Sequence, residues 1–195
     1  MSIKRFNPTC ATVRVWCNIS PVGTRGLTWA LGSQMQMKRI ESLSLPLHTG
    51  QYDQWPRHTK LLHDGRPTAT MVPGYVIEAQ YRCDDGYLIV TSYDCPFEEA
   101  NEFLLLSQTF RVLASTNLGQ PYASYRLYAH WPVSPNELRL HYGDTLFFTL
   151  TINQRAGLFG TGRRLELTEF TNLESDFAAK ESLVKYQQRC ESQDG

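Results

Sequence analysis

The sequence predicts a mainly β fold, an antiparallel β-sandwich or open barrel of about eight to nine strands followed by one C-terminal helix. Three observations carry this reading. Beyond residue 37, apolar and polar residues alternate over much of the chain, which is the period of a half-buried strand. The alternating runs are short and are separated by Gly, Pro, Asn and Asp, so successive strands are expected to pair as antiparallel hairpins without intervening helices. Aromatic residues make up 12% of the 195 residues, with ten Tyr and nine Phe, a composition that suits pleated surfaces better than a helical bundle.

Residues 1–36 differ from the rest. Lys and Arg occur there with no Asp or Glu before Glu41. That composition is expected of a basic, disordered leader resembling an organellar transit peptide, or of an over-extended start ahead of Met35 or Met37. Thr12–Asn18 alternates like a short strand but lacks a partner hairpin. The remainder, residues 37–195, reads as a single β-rich domain.

Lys38–Leu47 is expected to hold one short strand. Gln51–Pro73 reads as a long loop punctuated by Pro56, Asp64-Gly65, Pro67 and Pro73-Gly74, with only Thr59–His63 regular. From Tyr75 to Arg82 the apolar face is Tyr75, Ile77, Ala79 and Tyr81. Asp85-Gly86 supplies the positive-φ positions of a tight reversal. Tyr87–Tyr93 is apolar on both faces, which marks a more central strand. Glu102–Leu106 and Phe110–Ala114 follow as strands.

Ala123–Trp131 sets Ala123, Tyr125, Leu127, Ala129 and Trp131 against Ser124, Arg126, Tyr128 and His130. Glu137–Tyr142 turns Leu138, Leu140 and Tyr142 inward. Thr145–Ile152 puts Leu146, Phe148, Leu150 and Ile152 on one face. Asn153–Gly162 reads as a polar connection, and Arg164–Phe170 as the last strand. Thr171–Glu174 has the form of a capping box. It would open a helix from Asn172 to about Arg189 with Leu173, Phe177, Val184 and the Lys180 stem in one stripe. Glu181 and Lys185 make a favourable i,i+4 pair on it.

Lys plus Arg and Asp plus Glu each number 19. That balance argues against a dedicated nucleic-acid binder, which needs excess cations to neutralise phosphates. No apolar run approaches the ~18 residues of a membrane span. Five cysteines without regular spacing make a poor disulfide framework. A soluble, cytoplasmic protein is the expectation, with neither nucleic acid nor membrane as partner.

Reactive side chains crowd at Asp94-Cys95-Pro96-Phe97-Glu98-Glu99. Cys95 at a strand end would serve as a nucleophile if a histidine reached it, but the acids around it raise a thiol pKa. The bland alternative is a packed thiol beside a proline turn. Asp94, Glu98 and Glu99 would suit glycoside hydrolysis if two of them faced a cleft, or a hard cation together with Asp84 and Asp85. Otherwise they are solvated acids, or Glu98 or Asp94 accepts backbone N–H bonds in the turn. His48, His58 and His63 lack the tight spacing of a zinc site. Gly157–Arg164 invites a phosphate-loop reading, yet a strand follows it where a helix N-terminus would be needed. Arg163 and Arg164 remain able to grip an acidic partner. Tyr128, on the polar face of its strand, marks a binding surface.

The function expected is a non-catalytic binding module for a protein or small-molecule ligand, with Glu98, Glu99, Tyr128, Arg163 and Arg164 as binding residues and no cofactor or metal. The alternative is a hydrolase using Cys95 with a histidine, or the Asp94, Glu98 and Glu99 carboxylates.

Overall fold

The structure, a computed structural model, describes residues 36–95, 99–120, 123, 125–157 and 160–192, the side chains of 155–157 and 160–161 excepted. Apart from Gln36, the leader expected over residues 1–36 lies outside these residues. Among them the chain is mainly β, with twelve strands in three antiparallel sheets, none closed into a barrel, and one C-terminal helix.

The first sheet runs β1 (Lys38–Arg39), β5 (Val76–Cys83), β6 (Gly86–Ser92), β7 (Asn101–Ser107) and β8 (Val112–Leu118), in that order. The second runs β12 (Gly160–Glu169), β11 (Phe147–Gly157), β10 (Glu137–His141) and β9 (Ala129–Ser134). The third is β2 (Leu43–Ser44), β3 (His58–His63) and β4 (Arg66–Pro73). Leu88, Val90, Phe103 and Leu105 pack with Leu138, Leu140, Leu150 and Ile152 of the second sheet. Their alternate neighbours Tyr87, Ile89, Leu104 and Leu106 pack with Leu43, Leu61 and Val72 of the third. Strands β6 and β7 are therefore buried on both faces, as the continuous apolar run Tyr87–Val90 predicts. Each fully buried Leu, Ile or Phe contributes ~1.5–3 kcal/mol, so these two central strands anchor both cores.

The structure departs from the sequence expectations at several points. The Lys38–Leu47 strand is split, because the chain leaves the first sheet after pairing Arg39 with Tyr81 and enters the third at Leu43, opposite His63. Most of the expected Gln51–Pro73 loop, residues 58–73, is the β3–β4 hairpin, reversed at Asp64 and Gly65 with φ of 49° and 74°. Pro67 sits in that hairpin without penalty because β4 is an edge strand. In the β5–β6 hairpin Cys83 pairs with Gly86, and only Gly86 has positive φ.

Within β5 a bulge lies between Ile77 and Ala79. It sends Ile77 to the third-sheet side while Ala79 and Tyr81 face the second. The alternation over Ala123–Trp131 also breaks. A strand begins only at Ala129; His130, opposite Leu140, turns inward to Tyr81, and Trp131, opposite Arg139, turns outward to Phe147. A half-buried histidine with a hydrogen-bond partner can face the interior as an apolar residue does. Asn153–Gly162 is not a connection, since β11 and β12 stay paired from Phe148 and Glu169 out to Gly157 and Gly160. Backbone pairing needs no apolar signature, so the polar composition of 153–162 hid it.

The helix α1 (Phe177–Glu191) starts later than its expected Asn172. Leu173–Ser175 forms a 3-10 turn, and Asp176 is the N-cap, its Oδ1 accepting from the Ala179 N–H at 3.1 Å. The buried stripe is Ala179 and Ser182, flanked by half-buried Leu183 and Tyr186, while Phe177 is 81% and Val184 50% exposed. The reason is the surface the helix lies on. It packs against the outer face of the second sheet, where His141, Tyr128 and Gly143 ask for small and polar contacts. Glu181 and Lys185 do pair, at 2.7 Å. Asp176 also pairs with Arg139, Nε to Oδ2 at 3.3 Å, both side chains largely buried. Asp176→Ala is expected to cost ~2 kcal/mol by removing the cap and stranding Arg139. Asp176→Asn keeps the cap and costs less. Urea unfolding followed by circular dichroism checks the order of the three proteins.

Candidate functional site

The Tyr93–Glu99 turn is built around one acid. Glu99 is 9% exposed, and its carboxylate accepts from the Tyr93 N–H at 3.0 Å and the Cys95 N–H at 2.8 Å. Burial pushes the Glu99 carboxyl up, and those two N–H groups pull it back. The turn-capping role expected of Glu98 or Asp94 is filled by Glu99; Glu98 lies outside the described residues. Asp94 is exposed at φ 52°. Cys95 is a half-buried free thiol, as is Cys190, and Cys83 is a buried one. Among the described residues no hydrogen bond or ring contact joins a histidine to Cys95. His48 instead bonds Thr59 at 2.8 Å and packs on Trp55 and Tyr75. Tyr75 makes near-perpendicular contacts with Tyr52, Trp55 and Tyr93, and the Tyr52 hydroxyl donates to the Tyr93 carbonyl at 2.9 Å. These rings fill the space beside the turn with one another.

Arg163 reaches Asp85 at 2.5 Å and ties the β11–β12 hairpin to the β5–β6 turn. Arg164 is exposed on β12, opposite Asn153. His63 packs against Tyr87 and Phe110. Among the described residues no three His, Cys, Asp or Glu side chains converge as metal ligands do.

Tyr128 stands elsewhere, between two adjoining clefts that both also touch Leu127. The first, of about 330 Å³, lies between α1 and the approach to β9 and is lined by Arg126, Tyr142, Tyr186, Arg189 and Cys190. The second, of about 370 Å³, is lined by Arg39, Glu78, Ala129 and His130. The Tyr128 N–H donates to the His141 carbonyl at 2.8 Å, fixing the chain. Its ring meets His141 and Tyr186 edge-on at 5.1 and 5.0 Å.

Beneath this corner His141 is fully buried and stacks on Phe147 at 4.1 Å. Its Nε2 faces the Asp144 carbonyl, which can only accept, so Nε2 carries the proton and Nδ1 accepts from the Ser182 hydroxyl at 2.7 Å. That bond docks α1. Gly143, at φ 107°, lets Tyr186 approach; a Cβ there would lie 2.9 Å from the ring. Tyr186 is hydrogen-bonded to Cys190, which raises its phenol pKa. Tyr142 is held from behind by Asn101 and Tyr125, and burial pushes its phenol up strongly.

In the second cleft, the buried Tyr81 hydroxyl lies 2.6 Å from His130 Nδ1. Among the described residues Tyr81 has no other acceptor, so it donates there and His130 keeps its proton on Nε2. Burial, with Arg39 nearby, lowers His130 to about 4 and leaves it neutral at pH 7. Burial likewise raises Tyr81 to about 12.

Among the described residues Arg39, Arg126 and Arg189 form no ion pair. The two clefts thus combine three guanidinium groups without an ion pair among the described residues, tyrosine faces and one carboxylate, an arrangement suited to holding an anion beside an aromatic or apolar body. Of this site the sequence singled out only Tyr128 as a binding residue. Arg39, Glu78, Arg189 and Tyr186 come together from segments far apart in the chain, and no local pattern marks them. Comparison with protein families, with curated proteins and with solved structures finds no match for this chain.

Proposed function

We propose that the protein is a non-catalytic binding module that takes a small anionic ligand in the cleft between α1 and the Arg126–Tyr128 segment. The observation that carries this reading is the pair Arg126 and Arg189, both without an ion-pair partner among the described residues, facing a cleft of about 330 Å³ walled by three tyrosines. A planar guanidinium offers paired donors to a carboxylate or phosphate, and the tyrosine faces shelter the body attached to it. A reducing, cytoplasmic setting fits the free thiols Cys83, Cys95 and Cys190. No helix of the described residues is long and apolar enough to cross a membrane.

Phenyl phosphate is the probe for this reading. Calorimetric titration of the full chain is expected to give saturable heat that weakens as sodium chloride is raised. Arg126→Gln and Arg189→Gln are each expected to weaken binding about ten-fold, ~1.4 kcal/mol. Unchanged affinity in the double variant would remove the cleft from consideration.

A further inference from the structure

The second cleft holds charges of both signs, and they do not meet. Arg39 on β1 and Glu78 on β5 line the same cavity, yet no ion pair joins them. Glu78 owes its position to the β5 bulge. Ile77 pairs with Thr91 and Ala79 with Val90, so Glu78 is the extra residue, and a bulge re-aims the side chain it carries. One of its oxygens, Oε1, accepts from the Ser92 hydroxyl at 2.6 Å, which orients the carboxylate. Arg39 extends from a two-residue edge strand whose register is set by pairing with Tyr81. His130 lines the same cleft with its Nδ1 occupied by Tyr81, so Nε2–H is the donor that remains on the ring.

The lining therefore includes one carboxylate, one guanidinium and one neutral imidazole. A simple anion would meet repulsion from Glu78, and a simple cation would meet Arg39. A group carrying an ammonium and a carboxylate on adjacent atoms satisfies both walls at once. We infer that the second cleft binds the head group of a free α-amino acid, its ammonium to Glu78 and its carboxylate to Arg39 and the His130 Nε2–H. The side chain then lies along Tyr128 toward the first cleft, which suits an aromatic residue. This names the ligand class at the same corner and rests on the reading of the first cleft as a ligand site.

The test is a calorimetric series on the full chain at neutral pH with L-phenylalanine, 3-phenylpropanoate and 2-phenylethylamine, which differ only in the two charged groups. L-phenylalanine is expected to bind at least about ten-fold more tightly than either analogue. Glu78→Gln should erase its advantage over phenylpropanoate, and Arg39→Gln its advantage over phenylethylamine. Should either variant fail to fold, the ligand series on the unaltered chain still decides. Phenylpropanoate binding as tightly as L-phenylalanine would overturn the amino-acid site. So would silence from all three while phenyl phosphate binds, and that result leaves the anion cleft standing. Silence from phenyl phosphate as well removes both.

Discussion

Gly86→Ala is expected to cost ~4 kcal/mol or more, a large part of the ~5–15 kcal/mol that holds a domain folded. Gly86 opens β6 at φ 144°, a backbone conformation that side chains resist. The greater obstacle is β7. A Cβ at Gly86 would lie 2.2 Å from the Leu106 carbonyl oxygen, 2.4 Å from the Ser107 carbonyl carbon and 2.7 Å from the Gln108 nitrogen. All three are backbone atoms, so no side chain can swing aside. Relief requires β6 and β7 to part at the Gly86–Ser107 pair, and these are the strands that carry both cores. Gly65→Ala is the control. Gly65 also has positive φ, at 74°, but a Cβ there meets nothing within 4 Å, so only backbone strain of ~1–2 kcal/mol applies. Urea unfolding of the two variants should give midpoints far apart. Equal losses would mean that the approach of β7 is not what requires glycine at Gly86.

The same hairpin marks how far the sequence could be read. Wherever a strand buries one face without irregularity, period two gave the right side: Leu138 and Leu140, or Leu150 and Ile152, all enter the core shared by two sheets. Reading failed where the period itself was altered. The bulge at Glu78 and the entry of His130 into the core each shift the phase by one residue, and both feed the second cleft. A polar residue placed inside by a specific partner, as His130 is by Tyr81, has no signature in its neighbours. The helix failed differently. Phe177 and Val184 have the spacing of a core stripe, yet α1 rests on a polar, aromatic sheet face, so Ala179 and Ser182 make the contact. At the Asp94–Glu99 cluster, the presence of a turn-capping acid was legible, but which acid caps depends on the path of the turn.

That half-buried histidine gives the second large effect, a loss of stability in acid. His130 titrates at about 4 in the folded chain, chiefly because burial disfavours the imidazolium, with Arg39 adding to it. In the unfolded chain an unperturbed imidazole titrates near ~6.5. Between those values the unfolded state holds a proton that the folded state lacks. The contribution of neutral His130 is complete above pH ~6.5 and declines by ~1.4 kcal/mol per pH unit as the pH falls, ~3 kcal/mol in all by pH ~4. His141, lowered by burial against the opposing pull of the Asp144 carbonyl, acts in the same direction. Glu99 and Glu102, both raised by burial, act oppositely, because the folded chain takes up their protons first. The variant that isolates the His130 share is His130→Asn, whose side-chain oxygen can still accept from Tyr81 but does not titrate. It is expected to be less stable than the parent at pH 8, by ~1 kcal/mol for imperfect packing. Its stability should then fall less steeply from pH 6.5 to 4, so that the two curves converge or cross. Urea unfolding at pH 8, 6, 5 and 4 measures both slopes. Curves that descend in parallel would assign the acid sensitivity to other groups, and the Tyr81–His130 bond would then be a contact whose strength does not depend on pH.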